Sequence, residues 1–217
     1  MEKVEIDING EILTLDSSKV VYWAKKSMLL ISDLHLGKVA HFRKHGLPVP
    51  SKAGQINFEK MDLLIQKYNP LRIVFLGDLF HSDLNSEWLS FKAFIKDHPA
   101  IRFELVIGNH DIFDPTRYAE ASIVLHDPYL EEPPILFSHH PIDDLPEEWY
   151  NICGHIHPAI QLRGRGRQSI KMPCFYFGKA QGILPAFGAF TGTARILPEM
   201  GDQVWGILEG ELLNFET

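Results

Sequence analysis

The sequence predicts an α/β protein in which two mixed β-sheets pack as a sandwich flanked by helices. Three observations carry this prediction. In the first half, continuous apolar runs of strand length alternate with amphipathic helical segments, the pattern of buried parallel strands. In the second half the apolar pieces are short and separated by Gly and Pro, as strands joined by turns. Several apolar runs also stop abruptly at Asp, Asn or His, and open α/β sheets place their sites at the carboxyl ends of strands. With 217 residues, 45% hydrophobic and 23% charged, the chain is long enough for a full core and ordinary for a globular protein. No linker, repeat or low-complexity segment divides it, so residues 1–217 are expected to form a single domain.

The elements follow in order. "VEIDI" and "EILTL" flank Asn9-Gly10, the dipeptide of a tight hairpin, and "KVVYWA" and "SMLLIS" continue as strands. Over 55–68, Ile56, Met61, Leu64, Ile65 and Tyr68 fall near helical spacing, and Pro70 stops the helix. "LRIVFLGD" reads as a strand covered on both faces. "SEWLSFKAFIKDH" is a second amphipathic helix, opened by Ser86 and closed before Pro99. "IRFELVIGNHD" is a third buried strand running into a polar loop, a form that "PILFSHHP" and "WYNICGHIHP" repeat. "SIKMPCFYFG", "AFTGTARIL" and "QVWGILEGELLNF" are the closing strand pieces.

Bulk properties exclude some classes. A net charge of −7 argues against a generic nucleic-acid coat, though not against an enzyme that grips phosphates locally. Cys153 and Cys174 make no disulfide framework, so a reducing cytoplasm is the default, with Cys153 as a small buried thiol. "MEKVEIDING" lacks the pattern of a secretory signal, and no apolar run approaches a membrane span. A soluble protein with no membrane partner is expected. Eleven histidines are the compositional anomaly.

The run "MLLISDLHLG" shows where they matter. Asp33 and His35 follow a buried strand, and on an extended chain residues i and i+2 point to the same side. A buried Asp is costly unless something pairs with it. The same form recurs in Gly77-Asp78, Gly108-Asn109-His110-Asp111, His139-His140 and Gly154-His155-Ile156-His157. Glycines before Asp78, Asn109 and His155 permit close backbone approach. One such piece says little, because a lone His after a strand is ordinarily structural and a lone Asp a turn or cap. Five of them, drawing on Asp, Asn and His alone, point to metal. Carboxylate, amide and imidazole donors without thiolate suit Mn, Fe or Zn rather than a Cys-based structural zinc. There are more donors than one ion takes, and two ions sharing a carboxylate, roughly 3.5–4 Å apart, are an arrangement used for phosphoryl hydrolysis.

The ordered set D-x-H, G-D, G-N-H-D, H and G-H-x-H, running from Asp33 to His157, resembles the calcineurin-like metallophosphoesterase superfamily. The resemblance implies that superfamily's α/β/β/α fold and two divalent ions, Mn2+ first, with Fe or Zn as alternatives. It puts Asp33, His35 and His157 on one ion, Asp78 as the bridge, and Asn109, His139 and His155 on the other. It makes His110 the general acid and Asp111 the residue that orients it. These roles agree with the chemistry. A hydroxide shared by two divalent ions is a strong nucleophile at neutral pH, and an imidazole suits protonation of a departing alkoxide. His139 is preferred to His140 because it directly follows the apolar run; His140 is left behind the ligands or facing substrate. His81, where many members carry Asp, Glu or Arg, is open between supporting a ligand, binding substrate and a structural role.

A closer resemblance bears on the substrate. "DLHLGKVAHFRKHGLPVP", "GDLFHS", "GNHD", "GHIHP" and "LPAFGAFTG" are similar to the bacterial ligase-associated DNA-damage-response endonucleases. That implies a phosphodiesterase or nuclease working with repair proteins such as a ligase or helicase. Lys38, His41, Arg43 and Lys44 follow the first metal motif closely enough to reach a substrate phosphate, against the alternative of a solvated loop or helix. Arg163, Arg165 and Arg167 alternate with glycine, either tracking a nucleic-acid backbone or forming an exposed turn between strands. "LPAFGAFTG" reads as a strand pair in the second sheet or a partner surface. The competing readings are a phosphatase or phosphodiesterase for small nucleotides, and a non-catalytic scaffold on the same fold.

Overall fold

The computed structural model describes residues 1–38, 53–80, 86–164, 168–189 and 191–216. The first sheet contains β1 (Lys3–Ile8), β2 (Glu11–Asp16), β3 (Val20–Trp23), β4 (Met28–Ile31), β5 (Arg72–Leu76), β6 (Arg102–Val106) and β7 (Ile123–His126), side by side in chain order. β1 to β4 pair antiparallel and β4 to β7 parallel. Asn9 and Gly10, at φ 51° and 83°, turn β1 into β2 with both central residues left-handed, the conformation that matches strand twist in a two-residue hairpin.

The second sheet contains β8 (Tyr129–Glu132), β9 (Ile135–Ser138), β10 (Tyr150–Cys153), β11 (Pro158–Arg163), β12 (Ser169–Phe177), β13 (Gln181–Ile183), β14 (Ala194–Arg195), β15 (Gln203–Leu208) and β16 (Glu211–Glu216). Its main path runs β14-β11-β12-β13-β10-β9-β8, with β15 on β12 and β16 on β15. β9, β10 and β13 are parallel to one another, and the remaining neighbours are antiparallel except β11 and β14. Two mixed sheets are thus present, as expected.

The helices are α1 (Ala53–Tyr68), α2 (Ser86–Asp97) and α3 (Pro115–Glu120). Met61 and Leu64 of α1, Trp88, Phe91, Phe94 and Ile95 of α2, and Tyr118 of α3 pack with Leu29, Ile31, Phe75, Phe103 and Leu105. This buries the helix-facing side of the first sheet. The other core lies between the sheets, where Leu13, Trp23, Leu30 and Leu76 meet Phe137, Ile152, Phe175 and Trp205. β4, β5 and β6 are therefore covered on both faces, which is why their sequences are continuous apolar runs. A buried Leu, Ile or Phe side chain contributes roughly 1.5–3 kcal/mol.

Four strands and one helix are not foreseen in the sequence. β7 and β8 are four residues each and β13 is three, too short for a clear period. β11 begins with Pro158, tolerated because a first strand residue need not donate. α3 is a single capped piece in which the Asp114 carboxylate accepts from the Thr116 amide at 2.9 Å, with Pro115 opening the helix. Among the described residues of "AFTGTARIL", Ala194 and Arg195 alone are in a strand, β14.

Candidate metal centre

The carboxyl ends of β4, β5, β6, β9 and β10 converge, and the five polar motifs occupy the loops there. Parallel strands bring this about: all five run the same way within their sheets, so their ends share one rim. The loop after β4 runs beside the loop after β5. His35 and Leu36 donate backbone N–H to the carbonyls of Asp78 and Leu79, each at 2.9 Å, and the Gly37 amide donates to Glu87 Oε2 at 2.6 Å.

Asp33 and His35 share a side, but not by strand alternation. Both are left-handed, at φ 51° and 49°, as are Asp78 at 50°, His155 at 65° and His157 at 51°. Each such non-glycine residue costs roughly 1–2 kcal/mol, and such strain clusters where function demands it. Hydrogen bonds hold the loops in place. The His155 amide donates to the Asp33 carboxylate at 3.0 and 3.2 Å, and the His110 amide donates to Asp78 Oδ1 at 3.0 Å. Two glycines make room. A Cβ on Gly77 (φ 77°) would fall 2.1 Å from His139 Nδ1, and one on Gly154 would fall 2.5 Å from Asp33 Oδ2.

The imidazole orientations follow from their partners. His139 Nδ1 donates to the Leu76 carbonyl at 3.0 Å, and His157 Nδ1 donates to the Gly192 carbonyl at 3.0 Å. A carbonyl can only accept, so in each neutral ring Nε2 carries a lone pair. His139 Nε2 lies 3.3 Å from Asp78 Oδ1, 3.0 Å from Asn109 Oδ1 and 3.1 Å from His155 Nδ1. His157 Nε2 lies 3.1 Å from Asp33 Oδ1, buried and without hydrogen-bond alignment. The His139 Nε2 lone pair thus faces a carboxylate oxygen, an amide oxygen and a second imidazole nitrogen, and a cation set among them would take these ligand atoms together. Ligating histidines commonly donate their other ring N–H to a backbone carbonyl, as both do here.

Three groups have ligand atoms within 4.8 Å of one another: Asp33, His35 and His157; Asp33, Asp78 and His139; and His139, His140 and His155. Asp78 reaches both ends, with Oδ2 3.6 Å from His35 Nε2 and Oδ1 3.3 Å from His139 Nε2. Among the described residues, every ion-pair partner of Asp33 and Asp78 is a histidine. The donors therefore fit a pair of divalent cations.

The remaining candidates sit around this cluster. His110 is half-buried, its ring 5.6 Å from that of His35. The buried Asp111 carboxylate accepts from the backbone amides of Leu79 at 3.0 Å, Phe80 at 3.3 Å and Gly108 at 2.9 Å. Burial pushes its carboxyl up to about 7, the Gly108 and Phe80 amides opposing this and the Asp78 charge adding to it. Burial also lowers the Lys38 ammonium, while Asp78 and Asp33 pull it back up, so Lys38 feels the field of the site. His140 is exposed, with its ring 4.1 Å from that of His155. His41, Arg43, Lys44, His81, Arg165 and Arg167 lie outside the described residues, and Arg163 ends β11.

The described residues of "LPAFGAFTG" form no strand pair in the second sheet. Residues 184–188 pass beneath the first metal loop, where Ser32 Oγ donates to the Pro185 carbonyl at 3.2 Å. The amides of Phe187 and Gly188 donate to the carbonyls of Ser32 and Asp33 at 2.9 and 3.2 Å, and Gly192 receives His157. These are backbone contacts at the site, which side-chain types could not announce.

A profile of the family described as calcineurin-like phosphoesterase matches residues 27–171, well over half of the chain and all the motifs from Asp33 to His157. The chain belongs to the calcineurin-like phosphoesterase family. It is thus a metal-dependent phosphoesterase, and the family's usual pair of divalent metals suits the donor set described above. Among solved structures, the Pseudomonas putida nuclease MPE is similar with a TM-score of 0.80 at 23% identity, covering 98% of this chain and 100% of that one. That likeness shows a shared fold. The protein of unknown function AQ665 from Aquifex aeolicus aligns at 20% identity over 64% of this chain and 82% of that one, with a TM-score of 0.39. Yfce, a phosphoesterase from E. coli, aligns at 12% identity over 86% and 96%, with a TM-score of 0.45. No curated protein matches the sequence. Among the described residues, no helix is long and apolar enough to cross a membrane.

Proposed function

We propose that this phosphoesterase is a dinuclear phosphodiester hydrolase acting on nucleic acid, working as one domain over residues 1–217. The observation that carries the two-ion reading is the span of Asp78, one carboxylate oxygen toward His35 and the other toward His139. Asp33, His35 and His157 would hold one ion, Asn109, His139 and His155 the other, with Asp78 common to both. Two divalent ions bound there supply Lewis acidity toward phosphoryl oxygens and lower the pKa of water; the all-N/O donor set favours Mn2+, then Fe or Zn.

The chain's own groups do the rest. His110 sits on the loop whose amide bonds Asp78, beside His35, and there its imidazole can pass a proton to the departing oxygen. Asp111 anchors that loop through three amides, so it positions His110 through the backbone. His110→Ala is expected to keep its metal and lose about 100-fold or more on esters with poor leaving groups, with little loss on 4-nitrophenyl esters. Loss of metal in this variant would make His110 a ligand instead.

Three things support nucleic acid as substrate: the motif resemblance, the position of Lys38 within the field of Asp33 and Asp78, and the full-length likeness to a protein described as a nuclease. His41, Arg43 and His81 would bind substrate phosphates, and a ligase or helicase would be the partner in repair. The buried free thiols of Cys153 and Cys174 suit a reducing, cytoplasmic setting. The deciding experiment compares Mn2+-loaded protein on single-stranded DNA, double-stranded DNA and bis(4-nitrophenyl) phosphate. Cleavage of DNA is expected. Fast turnover of the small ester with indifference to DNA would move the substrate to a nucleotide-sized phosphodiester.

A further inference from the structure

Beside the metal centre lies a cleft of about 440 Å³ that the reading above leaves unused. Asn109, His139 and His140 form the part shared with the centre, and Pro128, Tyr129 and Ile142 supply an apolar lining. The volume is in the class that takes a small organic group, roughly 300–1,000 Å³. Tyr129 is held by the sheet: it opens β8 and pairs with Ser138, the residue before His139. Its backbone is therefore held one residue from a candidate ligand's position, and its side chain lines the cleft while remaining 42% exposed. Among the described residues the lining contains no Lys or Arg, and it includes Asp127. The cleft's own side chains offer a second phosphate no Lys or Arg to grip it. A flat neutral group would be accommodated, its edges meeting Asp127 and Ser138 and its face meeting the aromatic ring.

We propose that the cleft binds one nucleobase, that of the nucleoside next to the scissile phosphate, with Tyr129 as its stacking surface. The proposal rests on the phosphodiester reading and deepens it. A group seated against Asn109 and His139 adjoins whatever phosphate the metal centre holds, so it belongs to the same nucleotide or its neighbour. Stacking on a tyrosine tolerates any base, because every base has a π-face. The cleft thus confers a preference for nucleosidic over simple alkyl phosphodiesters, without sequence selectivity.

The test uses a dinucleoside monophosphate, which has one scissile phosphate, and its two analogues lacking the base on the 5′ or the 3′ side. With Mn2+-loaded wild type, removing one of the two bases is expected to raise KM about tenfold, and removing the other to change it little. Tyr129→Ala is expected to raise KM for the intact compound by a similar factor and to lose nothing further with that same analogue. Tyr129→Phe, which keeps the ring, is expected to retain the wild-type KM. Metal content is measured for each variant, and should either fail to fold, the wild-type analogue series still decides. The proposal is overturned if both analogues match the intact compound, or if base removal costs Tyr129→Ala as much as it costs the wild type. Bis(4-nitrophenyl) phosphate separates the two failures. A wild type that hydrolyses neither this ester nor the dinucleoside monophosphate is no phosphodiesterase, whereas one that hydrolyses both and ignores the base has no base site.

Discussion

Glu104, inside β6, and Asp33, in the loop that follows β4, are both fully buried carboxylates, yet they are satisfied by opposite means. Glu104, in the middle of β6, receives Arg72 Nε at 2.6 Å and His126 Nε2 at 2.8 Å, with Arg102 at 3.5 Å. Arg72 also reaches Glu132, which Lys26 joins at 2.9 Å. Burial opposes ionisation of Glu104, but His126 and Arg72 overcome it and hold the carboxyl down at about 2. Among the described residues, Asp33 and Asp78 pair with imidazoles and backbone amides. A buried acid that meets guanidinium groups carries its countercharge within the chain. A buried acid that meets imidazoles suits a cation from outside the chain.

The sharpest way to break this comparison is to neutralise one acid of each kind. Asp78→Asn is expected to reduce hydrolysis by at least about 100-fold, since even groups behind the ligands are worth 10–100-fold. In chelator the same variant should melt no lower than wild type, because a buried charge facing acceptors has been removed. Metal analysis and thermal melts with EDTA check both parts; retained metal and activity would sink the two-ion reading. Arg72→Met should do the reverse. Leaving Glu104 short of its main partner is expected to cost about 3 kcal/mol in denaturant unfolding, with hydrolysis per folded molecule unchanged.

The pH dependence sharpens the same contrast. The Glu104 carboxyl is lowered in the folded protein from 4.5 to about 2, so the unfolded chain takes up its proton first as pH falls. The stability this group supplies is complete above about 4.5 and is lost progressively toward 2, amounting to ~2 kcal/mol by pH 3. Urea midpoints between pH 6 and pH 3 measure it, and Glu104→Gln should flatten that part of the curve. The smallest expected effect comes from Gly154→Ala, whose Cβ would fall 2.5 Å from Asp33 Oδ2. Moving this carboxylate is expected to weaken metal binding about tenfold with the fold retained. A metal titration of the purified variant decides it.

The same contrast marks what the sequence reveals. The apolar runs of β4, β5 and β6, each ending in Asp or Asn after a turn, are legible because burial on two faces and abrupt polarity are both composition signals. The donors Asp33, His35, Asp78, Asn109, His139, His155 and His157 meet for that reason. The left-handed conformations that bring Asp33 and His35 to one side are not legible, since alternation predicts an extended chain there. The loop through Pro185 and Gly192 was hidden as well: it acts through carbonyls and amides, which every residue possesses. Glu104 passes unnoticed inside "IRFELV" because its nearest partners, Arg72 and His126, come from the neighbouring strands β5 and β7, far away in sequence.

The bond from His157 to Gly192, and those from Pro185, Phe187 and Gly188 to the first metal loop, tie Asp33 to the last third of the chain. Synthesis delivers these pieces in order, so a polypeptide still emerging from the ribosome carries Asp33, His35 and Asp78 long before the segment that braces them. The cluster around Asp33 and His157 is therefore braced in full only in a chain that extends at least to Gly192.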